Sequence, residues 1–396
     1  MRRVFRLALA ASMLLAAPAV SAQSIRFDPH IDLPASAAEP GWTGATDPSS
    51  QFDIDRALKG GLNVVGLTVF TPQTEPVPAA TAEARWALAA RHHAIEALLR
   101  NHPDRTERAR SPSDARRIAA AGKLAVVETL LNPWPIGDDL SAFDRWHATG
   151  VAIVGLAHAG HNQFTDSSRP ALARGEPPSV HGGLSPLGRS AITRLNDLGV
   201  LIDVSQLSDA AFDQVLALSR APVVASHSSV RAKADVARNL SDAQLGALKA
   251  KGGVVAINAF SAYLRPDGPE TGRALAALQA EFGIAPGGIT TALSVAQQAE
   301  YTRRYYAIRA TEPRATVSDL VNSIDYAVRR IGIDHVAISS DFNHGGGVEG
   351  WSHVGESEAI TAELRRRGYR PDQIEQLWGG NLLRVWQAAI DARTRR

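Results

Sequence analysis

The chain has 396 residues, 45% hydrophobic and 21% charged, a soluble globular composition that excludes a disordered or low-complexity chain. Lysine and arginine number 42 against 40 for aspartate and glutamate, which gives no argument for nucleic acid or anionic membrane as a partner. There is no cysteine, so disulfides and thiolate metal sites are excluded.

The chain opens with Arg2, Arg3 and Arg6, followed by an apolar run from Leu7 to Val20. Val20 and Ala22 give a small-x-small pattern, so residues 1–22 are expected to be a signal peptide cleaved after Ala22. A retained anchor is the rival reading, and the run is short for a bilayer. Loss of the leader removes three arginines and no acid, turning +2 into −1. No later stretch is apolar for long enough to span a membrane. A single exported domain over 23–396, periplasmic or secreted, is expected, and a homodimer is left open.

Eight short apolar runs then follow in order: Ile25–Asp32, Leu62–Phe70, Leu124–Thr129, Val151–His158, Val200–Gln206, Val223–His227, Val254–Phe260 and His335–Phe342. Most are nearly unbroken Val, Ile, Leu and Ala, as in parallel strands covered on both faces. Amphipathic segments lie between them: Ala79–Arg100, Pro186–Leu198 with Ser185 as cap, Ser208–Ser219, Ser241–Lys251 and Thr316–Ile331. The alternation predicts an α/β protein, a (β/α)₈ TIM barrel, with a doubly wound open sheet as runner-up. Long connections follow the fourth and seventh runs, over 159–185 and 261–315, the second with a helix over 289–310; both are candidate lids or binding loops. The tail over 371–392 reads as a helix packing Leu382, Leu383, Val385 and Trp386 on the barrel.

The polar residues sit where these runs end. His30 and Asp32 end the first, Glu128 the third, His158 the fourth, Gln206 the fifth, His227 the sixth and Asp341 the eighth. In a barrel all strand C-termini meet at one face, where active sites form. His30 and Asp32 are two apart and point to one side of a strand, so imidazole and carboxylate can share a cation; alone, the HxD pattern is common. Glu128 is either a carboxylate bridging two metals or half of a structural ion pair. His227 is either a ligand or a histidine satisfied by Ser226, Ser228 and Ser229. Asp341 is open to metal ligation and to general-base work. The Gly345–Gly347 run after it is a weak phosphate-loop signal with no Lys or Arg beside it.

FDPHIDLP, GLSPLGRSAITRLNDLGVLIDVSQLSDAAF, APVVASHSSVRA, ARNLSD, GGVVAINAF, HVAISSDF and WGGNLLRVW occur in this order, from His30 to Trp386. Together they resemble the membrane (renal) dipeptidase family, peptidase family M19. The resemblance implies hydrolysis of dipeptides by a metal-activated water, with two zinc ions per chain. It implies that His30 and Asp32 bind the first metal, that Glu128 bridges both, and that His227 ligates the second. By the same resemblance His158 contacts substrate, Arg238 grips the substrate carboxylate and Asp341 is the catalytic aspartate. The chain departs from the family at Gln206, where many members have a second-metal histidine; an amide is a weaker zinc ligand than imidazole, so three readings stay open: Gln206 as a metal ligand, as a ligand through water, or as the mark of a single-metal site. It departs also in AGHNQFTDSS after His158 and in Asn343-His344 after Asp341. Two other classes stay open: a two-carboxylate glycosidase using Glu128 and Asp341, and a non-catalytic relative that binds a peptide or peptidic natural product.

Overall fold

The structure, a computed structural model, describes residues 24–34, 37, 42–284 and 293–393; the expected leader over 1–22 lies outside them. Nine strands are present among the described residues: β1 Phe27–Asp32, β2 Val64–Phe70, β3 Thr106–Arg108, β4 Leu124–Leu131, β5 Val151–Gly155, β6 Leu201–Asp203, β7 Val224–Ser228, β8 Val254–Asn258 and β9 Val336–Ser339. All except β3 follow one another round a parallel sheet in sequence order, and β3 pairs on the side with β4. The ring closes past the end of β9, where Asp32 N donates to Phe342 O and Asp341 N donates to His30 O. This is the (β/α)₈ barrel rather than the open sheet. All eight expected strands exist. The short polar β3 (Thr-Glu-Arg) carries no apolar signal and was not expected.

Helices form the outer wall. The expected segments become helices Pro78–Asn101, Pro186–Leu198, Asp209–Leu218, Asp242–Ala250 and Val317–Ile331. Their starts follow local chemistry. Ser185, Ser208, Ser241 and Thr316 each accept a backbone N–H of the first turn through the hydroxyl, satisfying a donor the helix leaves free. Of the second long connection, the helix expected over 289–310 is present as Val295–Arg309, and residues 289–292 of that expectation lie outside the described ones. The tail divides into helices Pro371–Glu375 and Asn381–Asp391, with a wide turn between them.

Strand side chains alternate between two cores. Leu124, Val126 and Leu130 of β4 pack outward against the helices, whereas Ala125 and Val127 point into the ring. Leu382, Leu383, Val385 and Trp386 of the last helix join the inner cluster beside Ile25, Val64 and Val254, residues at the beginnings of strands. The tail therefore stoppers the N-terminal end of the barrel, and the C-terminal end is left for a site. No helix among the described residues is long and apolar enough to cross a membrane.

Candidate active site

The β1 and β9 ends supply the centre. His30 Nε2 lies 3.9 Å from Asp32 Oδ1 and 3.8 Å from Asp341 Oδ1, and neither of those carboxylate oxygens has a hydrogen-bond partner although both are buried. A bare buried carboxylate oxygen is costly, and two of them facing one imidazole nitrogen form the arrangement that a divalent cation relieves. The opposite oxygens are fixed: Asp32 Oδ2 accepts from His344 Nδ1 at 2.7 Å, and Asp341 Oδ2 from Asn258 Nδ2 at 3.0 Å. Burial pushes the Asp32 carboxyl up, but the hydrogen bond and charge of His344 outweigh it and hold Asp32 below its usual range. For His344 burial acts downward and the Asp32 bond wins, raising the imidazole. Two residues before His30 on the same strand, burial lifts Asp28 to about 7.

Asp341 and Gln206 both have left-handed backbone, φ 58° and 74°, unusual for residues with a Cβ and held by the surrounding fold. The glycines after Asp341 make that turn possible. A Cβ at Gly346 would sit 2.0 Å from Ser340 O, and its N–H donates to Asp341 O at 2.9 Å. The run is thus a tight turn behind the centre, which accounts for its glycines without a phosphate.

His227 stacks on His30 with ring centroids 3.7 Å apart. Its Nδ1 pairs with Ser226 Oγ at 2.7 Å, and that hydroxyl donates to Asp203 Oδ2 at 2.5 Å. Its Nε2 lies 3.0 Å from Gln206 Nε2. Gln206 Oε1 accepts from Arg169 Nη2 at 2.9 Å. Burial, then the neighbouring His30, holds the His227 pKa well below its ordinary value. His158 is depressed likewise, by burial and then by Arg169, whose Nη2 is 3.4 Å from its Nε2. Arg238 is buried, donates to His227 O at 2.7 Å and to Ser228 Oγ at 3.3 Å, and lies over the Tyr263 ring. A cavity of about 510 Å³ opens above, lined among others by His158, Arg169, Gln206, Tyr263, Asp341 and His344.

His30, Asp32, His158, Gln206, His227, Arg238 and Asp341 thus gather at one mouth, and Glu128 does not. Its fully buried carboxylate bonds Arg108 of β3 and His92 of helix Pro78–Asn101, outside the ring. Along β4 it has the outward parity of Val126 and Leu130, and the next residue, Thr129, shares with His30 the lining of a small void inside the barrel. The bridging role expected for Glu128 is therefore corrected: period two aims it at the helices. The same geometry removes the glycosidase pair of Glu128 and Asp341. Reading from sequence also missed Arg169, Asn258 and Asp203. Asn258 ends β8 as the other candidates end theirs, so position alone could have found it; Arg169 sits in an irregular loop with no such cue.

Fold and mouth together have the architecture of the metal-dependent barrel hydrolases. The profile of the membrane dipeptidases (Peptidase family M19) matches residues 15–396, and the chain belongs to that family. It is similar to the probable dipeptidase PvdM from Pseudomonas aeruginosa, at 42% identity and a TM-score of 0.89 over 93% of this chain and 96% of that one. It resembles in fold a metallo peptidase from Rhodobacter sphaeroides, liganded with a phosphinate mimic of the dipeptide L-Ala-D-Ala, at 22% identity and a TM-score of 0.73 over 93% and 99% of the two chains. Dipeptidase tcpJ of Claviceps purpurea is 29% identical over 301 residues, 75% of this chain but 58% of that protein's length.

Proposed function

We propose that the chain hydrolyses the peptide bond of dipeptides, or of compounds built like them, at a single divalent cation, zinc by its donor chemistry. The observation that carries this reading is the pair of unpartnered oxygens, Asp32 Oδ1 and Asp341 Oδ1, facing His30 Nε2. His30 and Asp32 would hold the ion with Asp341 beside it. When bound, it supplies Lewis acidity and an acidified water. The remaining work falls to side chains. Arg238 takes the terminal carboxylate through charge-assisted hydrogen bonds, which restricts the site to very short peptides. His158, neutral because buried, lies beside Arg169 at the cavity wall and contacts the substrate there. Water oxygen bonds the carbonyl carbon, the C–N bond breaks, and Asp341 Oδ1 carries the water proton to the leaving amine. The L-Ala-D-Ala mimic on the Rhodobacter relative makes D-configured C-terminal residues a reasonable part of the substrate range. Residues 1–22 are proposed as an export leader, and the domain from 23 onward as acting outside the cytoplasm.

The loss of a bridging carboxylate favours a second reading, a relative that binds a peptidic compound without cleaving it. Purified protein assayed on L,L and L,D dipeptides with zinc, with and without a chelator, separates the two. Turnover that a chelator abolishes and zinc restores supports the hydrolase. No turnover on any member despite bound zinc would leave the binder.

A further inference from the structure

We propose that Arg169 supplies the second positive charge of this centre, so that a guanidinium works opposite one metal ion; the claim rests on the hydrolase reading above. Arginine has only donors, so the Gln206 oxygen that meets Arg169 at 2.9 Å must be the amide carbonyl. The Gln206 NH₂ is then forced toward His227 Nε2 at 3.0 Å, and it uses that nitrogen's lone pair. The other side of the His227 ring is committed as well, to Ser226 Oγ. Asp203 lies near enough to His30 and His227 to suggest a metal trio, but three of its lone pairs are already engaged. Its oxygens accept from Ser205 N, Ser226 N and Ser226 Oγ. Both ring nitrogens of His227 are thus engaged, whereas beside His30 two carboxylate oxygens are bare.

Arg169 is built into this place. Ser168 N donates to Gln206 O at 2.8 Å, and Arg169 N donates to Ser167 Oγ at 3.1 Å, so the loop carrying the guanidinium is stitched to the residue it pairs with. Arg169 Nε has no partner. Its Nη2 also faces His158 Nε2, and because arginine cannot accept, His158 there presents a lone pair and keeps its proton on Nδ1. A planar fork of donors beside His158, at the cavity wall, suits the carbonyl oxygen whose charge grows as water adds.

The test is metal content with kinetics. Dialysed wild type should hold one zinc per chain by elemental analysis, and the double variant R169A/Q206H, with an imidazole and no competing cation, should hold two. R169M should keep one zinc and its melting temperature, yet lose about 100-fold in kcat, the usual cost of one oxyanion donor. Two zinc ions in wild type would overturn the proposal together with the single-cation count, and leave dipeptide hydrolysis itself standing; an R169M kcat within about twofold of wild type would overturn the proposal alone. No zinc in wild type under saturating supply would overturn both.

Discussion

His344 Nδ1 holds Asp32 Oδ2 at 2.7 Å, leaving Asp32 Oδ1 bare toward His30. Partners behind a metal ligand set its orientation and basicity, and their loss commonly weakens the metal about 10- to 100-fold. H344A is expected to weaken zinc by that factor while the fold stays intact, as measured by competition with a chromophoric chelator. Unchanged affinity would place the ion away from Asp32.

Glu128 anchors a charge network outside the barrel, with Arg108 and His92 as partners. Removing one member of a buried pair leaves the other uncompensated, at a cost of about 3–5 kcal/mol. E128A should lose stability on that scale by chemical denaturation, and zinc content should not change. A stable variant depleted of metal would restore Glu128 to the centre.

His92 shows how the same network responds to pH. Its hydrogen bond to Glu128 raises the imidazole pKa above the ordinary 6.5, against the opposing effect of burial. A raised folded-state value means that the contribution is complete below about pH 6.5 and is lost as pH climbs through the raised value. Wild type should thus lose stability relative to H92Q across that window, read from urea midpoints at several pH values. Parallel profiles for the two proteins would show that His92 does not titrate against Glu128.

Arg238 is held by His227 O and Ser228 Oγ with its Nε unpartnered. Lysine keeps the charge and loses the fork, so R238K should raise KM about 10- to 100-fold with a smaller change in kcat. A dipeptide amidated at its C-terminus gives the control. Wild type should lose a similar factor on it, and R238K should lose little more. An equal loss on both substrates by R238K would assign Arg238 to support of β7 alone.

The barrel and its mouth were legible in the order of residues alone. Strands buried on both faces read as apolar runs, helix starts carry their caps, and the polar residue that ends a run in a parallel barrel must lie at one face, as His30, Asp32, His158, His227 and Asp341 do. The direction in which Glu128 points emerged only once the ring had closed. In Leu124–Leu131 apolar residues occupy both parities, so neither face is marked, and the choice fell to Arg108 and His92, partners 20 and 36 residues away. The tertiary structure also decided that Gln206 turns its NH₂ to His227, because the cation that fixes its carbonyl comes from a loop 37 residues earlier in the chain. Alternation and caps are local and can be read from spacing, whereas the partner of a buried polar atom is set by which distant segments the closed ring brings together.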